Sequence, residues 1–289
     1  MVSTQQKEKA ERFLKYHHDK ELLVLVNAWD PGSARLIEAC GYKAVATTSM
    51  GVAAALGYPD CENIQLPELL RVVTAVVDAV NVPVTVDFEA GFGRTTEEVV
   101  ASVTQLIATG AVGINIEDSM NMGPVLMDAD VFCERIAAIR ALSNALGLHL
   151  VINTRTDSFF TSKASHSEKL AESIRRGNLY RAAGADCIFV QPVTDKETIS
   201  TLVKEIDAPV NILCNPSNGG GLPPTTAELT EMGVARLSLG SSVMKATLAL
   251  VRKIAAEIKA DGTYSLLSES VLPIGETTLA YKMATGQAG

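Results

Sequence analysis

The segment V-T-V-D-F-E-A-G-F-G, residues 84–93, begins with the apolar and β-branched residues of a buried strand and then sets two acids two positions apart. Side chains at i and i+2 of an extended strand share a face, so the spacing predicts that Asp87 and Glu89 point together while Phe88 points away. Carboxylates held side by side repel unless a cation, a proton or an arginine lies between them. The next apolar run ends in Glu117 and Asp118, and Asp60 arrives from a long loop upstream. Asp87, Glu89 and Glu117, with Asp60, form an all-oxygen set that suits Mg2+, which needs only one or two direct carboxylates and keeps several waters; Mn2+ is the next choice. No histidine stands at these strand ends, which weakens zinc. The alternative is a structural network that absorbs the acids on Arg155, helix N-termini and loop amides.

Arg155 closes the run V-I-N-T-R and is the one cation this pattern sets among the acids. Its planar fork matches a carboxylate or a phosphate, or serves as a structural partner. Thr47, Thr48, Ser49 and Gly51 offer hydroxyls and amides on the opposite side, and Gln191 and Asn215 end later strands. The glycines of E-A-G-F-G allow either close approach to a ligand or a plain tight turn. His17, His18, His149 and His166 read as surface or packing residues, with only His166 in a position to approach the site. Five cysteines without C-x-x-C spacing suggest neither a disulfide framework nor a thiolate zinc site.

Positioning these groups falls to a repeated unit. Apolar runs at residues 22–28, 42–48, 83–89, 112–118, 149–157, 186–191, 209–215 and 235–240 alternate with stretches of helical spacing, the last from Ser242 to Ala260. Gly41, Gly110, Gly147, Gly184 and Gly233 each stand between a helical stretch and the next strand. Eight parallel units with strands apolar on both faces predict a (β/α)8 barrel over residues 22–262, after an N-terminal helix in 1–21 and before a C-terminal helical extension in 263–289. A doubly wound open sheet is the runner-up, but the first strand is followed by N-A-W-D-P-G-S-A-R rather than by G-x-G-x-x-G. The strands are apolar at their starts and polar at their ends, which in such a barrel converge on the catalytic face.

A formal charge of −8 without a lysine and arginine run argues against nucleic acid or an anionic membrane as partner. The polar N-terminus and the absence of a membrane-length apolar stretch make a cytoplasmic protein acting on a small molecule the expectation.

T-T-S-M-G-V-A-A-A-L-G-Y-P-D, V-T-V-D-F-E-A-G-F-G, I-N-I-E-D-S and I-N-T-R-T-D-S-F occur in this order from about Leu22 to Gly240. In this the chain resembles the isocitrate lyase and phosphoenolpyruvate mutase superfamily. The resemblance implies a (β/α)8 barrel whose eighth helix is exchanged between subunits, a dimer of dimers, and Mg2+ bound with a 2-oxo acid or its enolate. It further implies that Asp87 is the direct metal ligand, that Asp60, Glu89 and Glu117 hold metal-bound waters, and that Thr48, Ser49 and nearby amides bind the substrate carboxylate, with Arg155 on its other side.

The departures narrow the chemistry. Lyases of the group carry K-[KR]-C-G-H in the loop after the fourth strand; here residues 119–128 read S-M-N-M-G-P-V-L-M-D, without cysteine, lysine or histidine. Phosphonomutases carry a lysine and an asparagine in that loop, a tryptophan where this chain has Ala46, and a histidine where it has Gln191. The expectation is a Mg2+-dependent lyase or decarboxylase of a small 2-oxo (di)carboxylic acid such as oxaloacetate, with Asp60 and Arg155 in the catalytic set and Tyr58 as a proton donor. A phosphoenolpyruvate or carboxyphosphonoenolpyruvate mutase and a non-catalytic 2-oxo acid binding protein are the alternatives.

Overall fold

A computed structural model describes residues 2–119, 125–160, 164–218 and 221–276. The strands β1 (Leu23–Leu25), β2 (Asn27–Ala28), β3 (Val45–Thr47), β4 (Val84–Asp87), β5 (Gly113–Glu117), β6 (Val151–Thr156), β7 (Cys187–Val190), β8 (Val210–Leu213) and β9 (Arg236–Ser238) form one parallel sheet in the order β1-β9-β8-β7-β6-β5-β4-β3-β2. β1 and β2 are two halves of a single first strand, separated only at Val26, and they pair with β9 and β3 respectively. The ring therefore closes as a (β/α)8 barrel. Asn27 stitches that closure: its Oδ1 accepts the Leu239 and Gly240 amides at 3.0 and 2.9 Å, and its Nδ2 donates to the Thr47 carbonyl at 2.6 Å.

The helices follow from apolar spacing and from their starts. In α4 (Leu66–Ala79) Leu69, Val73 and Val76 are buried at three- and four-residue intervals, and in α5 (Thr96–Ala108) Val99, Val103 and Leu106 repeat the pattern. Burial of each such side chain stabilises the fold by about 1.5–3 kcal/mol. Reciprocal capping boxes start α2 (Pro31–Ala39) at Asp30, α5 at Thr95, α7 (His166–Ala183) at Ser165 and α9 (Thr226–Glu231) at Thr225. Gly184, at φ 119°, is the left-handed cap that ends α7.

The N-terminal helix α1 (Thr4–Tyr16) plugs the barrel's amino-terminal end. Gln6 Nε2 donates to the Ile107 and Ala111 carbonyls at 2.9 and 3.0 Å, and the fully buried Phe13 lies where a Cβ on Gly113 would fall, 2.8 Å from its Cε1. The remaining helices are α3 (Ser49–Ala55), α6 (Ala129–Ala145), α8 (Lys196–Glu205), α10 (Ser242–Asp261) and α11 (Ser265–Ser270). In α10, the longest of these helices, only Met244 is buried, while Leu248, Val251 and Ile258 are exposed. Of the loop at 119–128, residues 120–124 lie outside the described residues, as does the extension beyond residue 276. Among the described residues no helix is long and apolar enough to cross a membrane.

Candidate active site

The polar strand ends meet in a cleft at the carboxyl face, with about 690 Å3 of empty space open to solvent. Same-face alternation within the strands builds its wall: Thr85 with Asp87, Phe189 with Gln191, Leu213 with Asn215, and Arg236 with Ser238. Thr47, Thr48, Ser49, Asp60 and Arg155 also line it.

Asp87 ends β4 and is held at both oxygens. Its Oδ1 accepts from Asn115 Nδ2 at 3.1 Å and its Oδ2 from the Ser49 amide at 3.0 Å, while its own amide donates to Thr47 Oγ1 at 3.0 Å. Asn153 in turn fixes Asn115 by donating to Oδ1 at 2.7 Å. Thr47 and the Ser49 amide thus orient Asp87 rather than standing free for substrate. Two neighbouring donors leave lone pairs on both carboxylate oxygens.

Glu89 does not share a strand face with Asp87. β4 stops at Asp87, and Glu89 lies at φ 48°, so the expected alternation breaks after one residue. Its Oε2 accepts the Glu62 amide at 2.7 Å, and Glu62 Oε1 accepts the Phe92 amide at 2.9 Å, tying the loop after α3 to the loop after β4. Burial, then Asp87 and Asp60, push the Glu89 carboxyl up to about 8. Asp60 is raised by burial and by Asp87, and its Oδ1 is buried with no hydrogen-bond partner. E-A-G-F-G proves to be a turn packed on protein: a Cβ on Gly93 would fall 2.6 Å from the Val99 amide nitrogen. Arg135 of α6 holds this turn by donating to the Ala90 and Arg94 carbonyls at 3.3 and 2.6 Å.

Arg155 is already engaged. Its Nη1 pairs with Glu117 at 2.7 Å, its Nε and Nη2 reach Asp157 at 2.6 and 2.8 Å, and the Gln191 amide, with its oxygen facing the guanidinium, accepts from Nη2 at 2.7 Å. Burial opposes its charge, yet Glu117 and Asp157 outweigh burial and raise its pKa. Burial likewise lifts Glu117 well above the carboxylate range, against the pull of Arg155. The fork is therefore a structural partner of the acids, one of the two readings its sequence position offered, and does not stand open to the substrate carboxylate that the family resemblance implied.

Three further placements correct the expectations. Tyr58 does not line the cleft: it is exposed, and its hydroxyl donates to Glu68 at 3.2 Å. Gly51 is buried against Trp29 and Thr48, where a Cβ would meet Thr48 Cγ2 at 2.5 Å, so it serves packing. Arg155 is not the only cation near the acids, because Arg236 and Lys245 line the same cleft. Asn215 does line it, with its Oδ1 accepting from Ser217, and His166 is engaged with Thr198. Asn115 and Arg236 were missed, although each is a polar residue set two positions from another polar residue inside an apolar strand. Among the described residues no three acids, histidines or cysteines converge closely enough to cage a metal by themselves.

The family profile described as phosphoenolpyruvate phosphomutase matches residues 13–259. An uncharacterised protein of Mycobacterium tuberculosis (strain ATCC 25618 / H37Rv) is 34% identical over 225 residues, covering 78% of this chain and 80% of that protein. The 2-methylisocitrate lyase of Aeropyrum pernix is 28% identical over 253 residues, covering 84% and 78%. The structure of oxaloacetate acetylhydrolase in complex with oxalate superposes with a TM-score of 0.81 over 97% of this chain and 98% of that one, at 22% identity, a likeness of fold. With a profile that spans most of its length and a (β/α)8 barrel, the chain belongs to the phosphoenolpyruvate phosphomutase family, within the isocitrate lyase and phosphoenolpyruvate mutase superfamily.

Proposed function

We propose that this protein is a Mg2+-dependent carbon–carbon lyase or decarboxylase that acts on a small 2-oxo dicarboxylic acid, oxaloacetate or a close analogue, through an enolate. One observation carries the reading: Asp60 and Asp87 line the cleft with Glu89 and Glu117 electrostatically coupled to Asp87, while the adjacent Arg155 is shared between Glu117 and Asp157. Burial first and mutual repulsion second raise the Asp60 and Glu89 carboxyls, and a bound cation would relieve both and engage the unpartnered Asp60 oxygen. The donor set fits a hard divalent ion held by one carboxylate directly and by others through water. Mn2+ suits the same oxygens.

Asp87 is the direct ligand in this reading, its plane set by Asn115 and the Ser49 amide. Asp60, Glu89 and Glu117 hold waters around the ion. When bound, the ion supplies positive charge against the negative charge that grows on the 2-oxo acid as a bond to C3 breaks. Thr48, Ser49 and Asn215 border the space left for substrate. Gln191 and Asp157 keep Arg155 charged and fixed beside Glu117. Residues 119–128 offer no cysteine, lysine or histidine, and Tyr58 faces Glu68. Decarboxylation answers to that composition, because CO2 departs without a proton and the remaining carbon takes one from water.

Phosphonomutase chemistry is the second reading, favoured by the family description; a 2-oxo acid binding protein without turnover is the third. Turnover measured with Mg2+ and then with excess chelator separates them, read as pyruvate from oxaloacetate, as the released 2-oxo acid from isocitrate-type acids, and as phosphoenolpyruvate or pyruvate from phosphonopyruvate. Chelator-sensitive turnover of oxaloacetate supports the lyase, and turnover of phosphonopyruvate alone replaces it with phosphonate chemistry. No turnover together with tight oxalate binding leaves a binding protein. We further propose a cytoplasmic homotetramer, supported by five unpaired cysteines and by the exposed apolar face of α10.

A further inference from the structure

Arg236 points into the barrel from β9, is 2% exposed and lines the cleft. A guanidinium removed from water is retained where an anion compensates it. Here no carboxylate of the described residues forms an ion pair with it, and Asp87 acts on its charge only at a distance, against the larger effect of burial; its Nε is buried without a partner, and its one hydrogen bond among the described residues is from Nη1 to His17 Nε2 at 3.5 Å. His17 adds no negative charge, being an imidazole that burial and Arg236 hold well below its ordinary range, bonded through Nδ1 to the Phe13 carbonyl at 2.9 Å. Nearby in the cleft, Thr85 Oγ1 is also buried without a partner. Lys245, from the first turn of α10, adds a second positive charge to the lining and reaches Ser217 Oγ at 2.9 Å.

The lining is thus bipolar. Asp87 and Asp60 make one part negative, and Arg236 and Lys245 make another part positive. A 2-oxo acid whose ketone and first carboxylate face a divalent ion at Asp87 has its remaining group left to be recognised. Arg155, the obvious partner, already serves Glu117 and Asp157.

We propose that Arg236, assisted by Lys245, is the specificity-determining residue for a second anionic group on the substrate, a carboxylate or a phosphonate on the carbon beyond the ketone. This rests on the reading of the cleft as a site for a divalent ion and a 2-oxo acid. It deepens that reading by assigning the far end of the ligand to a residue buried in the barrel, and it predicts rejection of substrates whose far end is neutral.

Calorimetric titration of the intact protein with Mg2+ tests it, with oxalate, 3,3-difluorooxaloacetate, the 4-methyl ester of that acid, and phosphonopyruvate as probes. The wild type is expected to bind difluorooxaloacetate at least about tenfold more tightly than its ester. Arg236→Gln should remove that preference while keeping oxalate affinity within about twofold, because oxalate needs only the metal end. Arg236→Lys should keep part of the preference, since charge persists without the fork. Phosphonopyruvate affinity lost in Arg236→Gln identifies the favoured far group as a phosphonate if it exceeds the loss for the dicarboxylate, and as a carboxylate if it falls short. Equal binding of diacid and ester by the wild type overturns the proposal without needing any variant to fold. A parallel loss of oxalate and diacid in a folded Arg236→Gln protein overturns it too, because that assigns Arg236 a merely structural role. Failure of the wild type to bind oxalate with Mg2+ would instead sink the metal-site reading beneath it.

Discussion

Asp87, the proposed direct metal ligand, is held in place by its surroundings. Its two oxygens are aimed by a side-chain amide and a backbone amide, and its own amide is tied to Thr47. A carboxylate held this way is ready to receive an ion without reorganising. Asp87→Ala is expected to abolish divalent binding in calorimetry and to lower turnover by at least about a hundredfold. The same variant should keep a cooperative thermal transition within a few degrees of the wild type, because the carboxylate lies at the end of a strand and not in the apolar core. A variant that binds Mg2+ normally with oxalate would remove Asp87 from the metal site.

His17 makes a prediction of a different kind. It is buried beside Arg236 and pushed down to about 3 by burial first and by that arginine second. The unfolded imidazole titrates near 6.5, so between these values the unfolded chain takes up a proton that the folded chain refuses. The contribution is complete above about pH 6.5 and is lost as pH falls toward 3, with a slope approaching about 1.4 kcal/mol per pH unit. Urea midpoints for the wild type and for His17→Gln, compared from about pH 7.5 to about pH 5, should converge as the pH drops. Parallel curves would show that His17 takes up its proton in the fold as it does in the unfolded chain.

At the scale of elements, the loops rather than the strands decide the site. Cys61, Glu62, Glu89 and Phe92 all take left-handed backbone angles, and Glu62 and Glu89 bond across between their two loops. Strain of this sort persists only where the surroundings over-determine it. Arg135 and the close approach of Gly93 to the start of α5 supply that constraint. Gly93→Ala should cost about 2–4 kcal/mol in chemical denaturation, since the added carbon meets backbone that has no room to yield. It should also weaken divalent binding, because Glu89 hangs from the same turn. A stability loss below about 0.5 kcal/mol would mean that the turn adapts freely.

For the whole molecule, the closed ring of strands and the plug by α1 leave one face for chemistry and one helix without cover. The exposed Leu248 and Val251 on α10 form an apolar surface that a second copy is proposed to bury. Leu248→Glu combined with Val251→Glu is expected to shift sedimentation from an oligomer to a monomer, with the barrel's circular dichroism retained. Unchanged sedimentation of an oligomer would place the interface elsewhere.

Much of this was legible in the chain itself because its signals are local. Eight apolar runs with polar ends, helix spacing between them and capping residues at the starts specify a barrel and the face on which it works. Residue order alone also singled out Asp60, Asp87, Glu89, Glu117 and Arg155 as neighbours. What it left open depends on where side chains meet. The alternation rule put Asp87 and Glu89 on one face, but φ 48° at Glu89 ended the strand between them. The fork of Arg155 looked free until Glu117, Asp157 and Gln191 closed around it from three strands or their ends. Tyr58 and Gly51 stood in promising segments, yet one turned to Glu68 and the other to Trp29. Arg236 looked like one residue in an apolar strand until the barrel enclosed it without a carboxylate. Periodicity and composition determine which face of an element is polar, whereas charge pairing between distant strands is settled only when the ring closes and water is excluded from the space inside it.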